Sequence, residues 1–276
     1  MKKITPLYAF IYLLVAASCQ QSTSIQEKNK IDERTRFLQF LDIFSDEEKL
    51  NEYIEKQKLS PVDIYQYCLK NQDDLVRARL IKAVYLSAKN NNKDAAKPEF
   101  WADLRYNMYY FTDIISRLRE EKHKTFLDIG CGSGQKLYAA LCMGFEKVYG
   151  IEYSKESYRY ALEFLDYFVK NKKAEITNGD GLTIDGKYYA QADFLYTYSP
   201  IKENKMMAQM FFRAMQNLKE NGILLEVRMV YAPELREISG YKIPNIKGFF
   251  AVKREKGQFF YKNTNSPDHW VQLSKN

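Results

Sequence analysis

The sequence predicts an α/β protein: a mostly parallel β-sheet with helices on both faces, preceded by a helical segment. Three observations carry this reading. From Thr125 onward, strand-like and helix-like stretches alternate, the pattern of a sheet covered on two sides. The stretch "FLDIGCGSGQK", Phe126 to Lys136, is a hydrophobic run that stops at an acid, turns through three alternate glycines and enters a helix-like segment. The composition, 46% hydrophobic and 28% charged over 276 residues, suits one large globular domain with an accessory segment.

The chain starts with Lys2 and Lys3, an apolar stretch from Ile4 to Ala17, and "AASC" ending at Cys19. A basic start, a short apolar core and small residues before a cysteine describe a lipoprotein-type export signal. The apolar core is shorter than the ~20 residues of a membrane-spanning helix. Ala16 stands where the lipobox most often has Leu. The expectation is a lipid anchor on Cys19 at the cell envelope. The alternatives are a short N-terminal anchor, or a start codon placed too early on a cytoplasmic protein. The expected organisation is a signal-like segment over 1–19, a polar tether over 20–31, a helical region over 32–97, the α/β domain over 98–253, and a C-terminal strand and tail over 254–276.

Within the helical region, "FLQFLDIF" (Phe37–Phe44) is too apolar to be exposed. Ser60-Pro61 signals a helix start with Pro at the first helical position. In "DLVRARLIKAVYLSAK", Leu75, Leu80, Ile81 and Val84 recur at helical spacing. "KNNNKDAAKPE" (Lys89–Glu99) is a polar break. An aromatic helix is expected over 99–119, bringing Tyr106, Tyr109 and Tyr110. Strands are then expected at Thr125–Ile129, Lys147–Glu152, Ala174–Asn178, Ala192–Tyr198 and Gly222–Val227. Helices are expected at Gln135–Met143, Lys155–Lys170 and Asn204–Leu218. Lys247–Asn263 reads as a hairpin turning near Glu255–Gly257, which makes seven strands. Met206, Met207, Met210, Phe211, Met215 and Leu218 share a helical face and read as core.

In an open parallel sheet, ligands sit beyond the carboxyl ends of the strands where strand order reverses. Glycines let backbone approach a ligand and permit positive φ, and a following helix points its first amides at it. A dinucleotide fingerprint Gly-x-Gly-x-x-Gly fails, because its third glycine falls on Gln135. A phosphate loop ending Gly-Lys-Ser/Thr fails too, since Gln135 separates Gly134 from Lys136. What stands is Asp-x-Gly-x-Gly-x-Gly, Asp128 to Gly134. It resembles the first motif of class I S-adenosylmethionine-dependent methyltransferases. The resemblance runs from about Phe100 to Lys253 and implies a Rossmann-like fold with S-adenosylmethionine as cofactor.

The resemblance also implies roles. Asp128, Gly130, Gly132, Gly134 and Gln135 would form the glycine turn. Glu152, closing "VYGIE", would accept the ribose hydroxyls. Asp180 in "NGDGL", beside Gly181, would take the adenine amino group, with Tyr153 and Leu182 flanking the ring. Tyr198, Ser199 and Pro200 in "YTYSPI" would line the reacting methyl. Taken as residues alone, Asp128 also suits a strand-end cap, Glu152 a surface acid, and Asp180 a carboxylate that shapes its own turn.

Amino-methylating members carry Asn/Asp-Pro-Pro-aromatic where this chain has Tyr198-Ser199-Pro200-Ile201, which lacks the amide and the terminal aromatic. The glycine loop with Gln135 is similar to that of the non-SET histone-lysine methyltransferases, but their Asn-Asn-Phe acceptor segment is missing. The acceptor is therefore left as a protein or a small molecule. The net charge of +7 is scattered in mixed-sign runs, which gives no clear nucleic-acid signal. Cys68, Cys131 and Cys142 are an odd set that cannot all pair, and they suit a reducing compartment. No cysteine or histidine spacing suggests a metal site. A non-catalytic envelope-tethered binding protein that keeps the fold is the alternative expectation, prompted by the signal-like start.

Overall fold

The computed structural model describes residues 47–57, 59–70, 73–87, 107–227, 230–246, 248–264 and 269–276. The expected signal and tether, the apolar run at 37–44, the polar break at 89–99, Tyr106 and the first half of the aromatic helix lie outside the described residues. Among the described residues, no helix is long and apolar enough to cross a membrane. The chain forms two compact units: described residues up to Ser87 with Asn107–Arg117, and the chain from Leu118 onward.

The first unit is helical: α1 (Glu47–Gln57), α2 (Pro61–Lys70), α3 (Asp74–Ser87) and α4 (Met108–Leu118). Ser60 caps α2 reciprocally with Asp63: the Ser60 amide and hydroxyl donate to the Asp63 carboxylate, and the Asp63 amide donates to Ser60 Oγ at 3.2 Å. Asp73 and Asn107 cap α3 and α4 by accepting first-turn amides. The buried face of α3 is Ala78, Leu80, Ile81 and Val84. Leu75, expected on that face, is 52% exposed in the first turn of the helix.

The second unit is the α/β domain. Its strands are β1 (Thr125–Ile129), β2 (Lys147–Glu152), β3 (Ala174–Asn178), β4 (Phe194–Thr197), β5 (Ile223–Val227), β6 (Phe249–Glu255), β7 (Gln258–Asn263) and β8 (Val271–Gln272). The sheet order is β3-β2-β1-β4-β5-β6-β7-β8. The first five strands are parallel and the last three pair antiparallel. Among the described residues the sheet therefore has eight strands, not the seven expected. The eighth, Val271–Gln272, is two residues long and shows no periodicity to read; it pairs with Phe260 and Tyr261.

Helices α5 (Gln135–Cys142), α6 (Lys155–Phe164), α7 (Asp166–Lys170), α8 (Lys187–Ala190), α9 (Asn204–Gln216) and α10 (Ala232–Ser239) connect the strands. Leu127, Ile129 and Leu195 share one core with Met207, Met210, Phe211 and Met215 of α9, so the methionine stripe is packing. Phe126, Phe145 and Phe194 form an aromatic cluster, with Phe126 and Phe145 centroids 5.2 Å apart. The single helix expected over 155–170 is two, broken at Leu165, whose side chain turns onto Gly134.

Strand order reverses between β1 and β4, which creates a crevice at the carboxyl edge of the sheet. The opposite edge is tied by side chains. Asp193 accepts from the Lys124 amide and from the Thr125 amide and hydroxyl. His123 bridges the Glu120 amide and the Asn221 carbonyl at 2.9 Å each.

Candidate functional site

β1 ends at Ile129 and the chain reverses through glycines that all take left-handed backbone: Gly130 at φ 81°, Gly132 at 56° and Gly134 at 86°. That region costs a residue bearing a Cβ about 1–2 kcal/mol, so the sequence uses glycine. The turn is pinned to β2: the Gly130 and Cys131 amides both donate to the Ile151 carbonyl, at 2.8 and 3.1 Å. Gly134 caps α5, whose first turn begins at Gln135.

Glu152 completes β2 and reaches back to this turn. One carboxylate oxygen accepts the Gly132 amide and the other the Ser154 amide, both at 2.7 Å. The carboxylate is 8% exposed. The Glu152 carboxylate is thus fixed in place by backbone donors beside the glycine turn. The same residue's carbonyl accepts from the Asn178 side chain and the Gly179 amide, which draws the loop after β3 alongside. Tyr153 follows, 42% exposed at the strand end.

Asp180 shapes its own turn, accepting the Leu182 amide at 2.8 Å, while its carbonyl accepts from Thr183 and Ile184. That turn rests on the end of β1: a Cβ on Gly181 would stand 3.2 Å from Ile129 Cγ2 and 3.0 Å from Met210 Sδ. The Gly181 carbonyl accepts the hydroxyl of buried Tyr189, whose pKa burial pushes up. The structure thus gathers the turn 130–134, Glu152 and the Asp180–Gly181 turn along the edge of three adjacent strands. Asp128 lies within β1 at 1% exposure, flanked by Gly150 on β2 and Tyr196 on β4.

Across the switch point, the segment after β4 closes the other side. A Cβ on Gly130 would stand 2.6 Å from Pro200 Cβ, so Pro200 seats directly on the glycine turn. Ser199 takes φ 40°, left-handed backbone on a residue with a side chain. It is held by Glu226 of β5: one carboxyl oxygen takes both the Ser199 amide at 3.1 Å and the hydroxyl at 2.9 Å. The other oxygen takes the Tyr231 hydroxyl at 2.9 Å. The Ser199 hydroxyl is therefore engaged in the interior. Burial pushes the Glu226 carboxyl up to about 8, against the pull of its hydrogen bonds. The Lys136 ammonium lies 5.8 Å from the centre of the Tyr198 ring, a cation–π contact at the opening of α5.

Sequence reasoning missed Glu226, Tyr231 and Lys136. A signal for Glu226 was present: "GILLEV" is an apolar run of the kind that forms a doubly covered parallel strand, and a lone acid within it needs a buried partner.

The arrangement fits the adenosyl group of S-adenosylmethionine. The positive-φ glycines let the turn pack closely against Pro200 and Leu165 at the sheet edge, and Glu152, tied by backbone amides, is the carboxylate beside it that would accept hydroxyls.

Comparison with solved structures gives remote likenesses. A protein-L-isoaspartate O-methyltransferase aligns at 13% identity over 83% of this chain and 64% of that one, with a TM-score of 0.47. An S-adenosylmethionine-dependent methyltransferase from Aquifex aeolicus aligns at 19% identity over 51% and 86%, TM-score 0.37. The StiE O-methyltransferase region aligns at 16% identity over 44% of each chain, TM-score 0.37, so this chain spans less than half of that structure's length. No curated protein matches significantly. The family model described as a methyltransferase domain matches residues 120–259, from the segment before β1 into β7. The glycine turn, Glu152, Asp180 and the Ser199 segment all fall inside that match, and the chain belongs to the methyltransferase domain family.

Proposed function

We propose that the chain transfers a methyl group from S-adenosylmethionine to a protein or small-molecule acceptor. The observation that carries this is the locked Glu152: its carboxylate is tied to both the glycine turn and the start of the next loop at the switch point. When bound, the cofactor supplies a sulfonium-activated methyl group. The residues of the chain then have positioning as their task, since holding reactants in line provides much of the rate. Glu152 and the Asp180 turn would hold the adenosyl end. The turn 130–134 would fix the cofactor against the sheet edge, and the Tyr198–Pro200 segment would form the wall across from it. An amine acceptor would have to shed a proton first, which costs a lysine roughly 4–5 kcal/mol at neutral pH.

The test has two arms. Calorimetric titration of the full chain with S-adenosylhomocysteine should give one site per chain. A screen of candidate proteins and small molecules should then release S-adenosylhomocysteine from S-adenosylmethionine. No heat of binding would overturn the reading. Lipid anchoring at Cys19 is our expectation for location, and the mass of the native N-terminus distinguishes a lipidated Cys19 from Met1.

A further inference from the structure

The geometry points to Glu226 as a positioning residue: braced by Tyr231, it clamps Ser199 in left-handed backbone and so holds Pro200 against the glycine turn, fixing one wall of the site. It rests on the methyltransferase reading only in calling that turn a wall of the cofactor site.

The clamp has three joints. The Tyr231 hydroxyl, from the residue before α10, meets one Glu226 oxygen. The Ser199 amide and hydroxyl meet the other. Pro200, the next residue, fills the space that a side chain on Gly130 would need. A chain with only a hydrophobic contact at this place would relax Ser199 out of φ 40°, because left-handed backbone is costly for a residue with a Cβ. Two bonds from one carboxyl oxygen to the same residue over-determine that conformation. The carboxyl is completely buried. Its cross-strand neighbours are Thr197 on β4 and Phe250 on β6, neither of which titrates. The groups that face it are Ser199 and Tyr231. Arg228, two residues along the chain, lies outside the described residues.

The clamp also responds to pH. With the carboxyl neutral, its proton points to Tyr231 and its carbonyl oxygen accepts from Ser199. With the carboxyl ionised, Tyr231 donates and the bonds become charge-assisted, but the buried charge costs more than they return, so the closed clamp weakens. The changeover falls at about pH 8.

Hydrogen exchange of the full chain, read on the Tyr198, Ser199 and Ile201 amides and corrected for intrinsic pH dependence, tests this. Glu226→Leu should speed Ser199 exchange about tenfold while leaving β1 and β2 unchanged, the scale of lost buried hydrogen bonds. Glu226→Gln keeps an oxygen for Ser199 and an N–H for Tyr231, so it should match the wild type near pH 4.5, where the carboxyl is neutral open or closed. Between pH 5 and 8 the wild type should lose protection and Glu226→Gln should not. The clamp is overturned by unchanged Ser199 protection in folded Glu226→Leu. It is overturned equally by identical pH profiles for the wild type and Glu226→Gln, a comparison that needs only the conservative variant to fold. Titration of the same samples with S-adenosylhomocysteine separates the two readings. Absent binding with a loosened Ser199 sinks the cofactor reading alone, and intact binding with an unmoved Ser199 sinks the clamp alone.

Discussion

The two flanks of the switch point are built differently. On the β1–β3 flank, the site is made of backbone: glycines with positive φ, amides that fix Glu152, and a carboxylate that caps its own turn. On the β4–β5 flank, a buried acid braced by one tyrosine hydroxyl holds one strained serine. The first flank takes its shape from backbone angles and amides, while the second, held by a buried carboxyl of raised pKa, carries the ionisation of that carboxyl into its shape. The first should serve the invariant part of a ligand. The second is where adjustment is possible.

The largest expected effect breaks this comparison if it fails. Glu226 has a folded-state pKa raised above its unfolded value, so its contribution to stability is complete below about 4.5 and is lost as pH rises to about 8. A shift of this size corresponds to on the order of 5 kcal/mol. Glu226→Gln removes that dependence. Urea unfolding should therefore find it more stable than the wild type by a few kcal/mol at pH 8 and close to it at pH 4.5. Equal gaps at the two pH values would mean that the flank is not held by a titrating group.

Gly130→Ala comes next and joins the flanks, because its Cβ would drive into Pro200 from a backbone angle that already disfavours it. Strain of this kind costs about 1–3 kcal/mol. Thermal unfolding should show a loss of that order. Binding of S-adenosylhomocysteine should weaken more than for any substitution confined to one flank. Normal binding would separate the glycine turn from the site.

The smallest effect is a control at the far edge of the sheet. Burial lowers the His123 pKa, more than its bond to Asn221 and the charge of Glu120 raise it. A base held below its unfolded pKa contributes stability that is present above about 6.5 and declines as pH falls below it. His123→Gln should flatten unfolding curves between pH 5 and 7 while leaving cofactor affinity unchanged. A change in affinity would extend the site to an edge that this account treats as structural.

The contrast between flanks also explains what the sequence disclosed. β1, β2 and β3 begin and end at the residues expected from pattern alone, because short apolar runs bounded by turn residues leave little freedom. The glycine turn was legible because glycine takes those angles without the cost a Cβ adds, and Glu152 because it closes the neighbouring strand. Of the two readings of Asp180, the turn-shaping one is seen directly in its bond to the Leu182 amide. The Ser199 clamp was not legible. Glu226 and Tyr231 lie 27 and 32 positions further along the chain, and what joins them to Ser199 is the pairing of β4 with β5, a register no local pattern records. β8 escaped notice because two residues carry no period, and the break at Leu165 because the residues on both sides are helix formers.

The most direct test of the central claim is calorimetric titration of S-adenosylmethionine into the wild type and Glu152→Ala. Hydrogen bonds to a charged group contribute about 1.5–3 kcal/mol, so the substitution should raise the dissociation constant about 10- to 100-fold. A dissociation constant that does not move would contradict the claim that this carboxylate, at the switch point of the sheet, holds the adenosyl group.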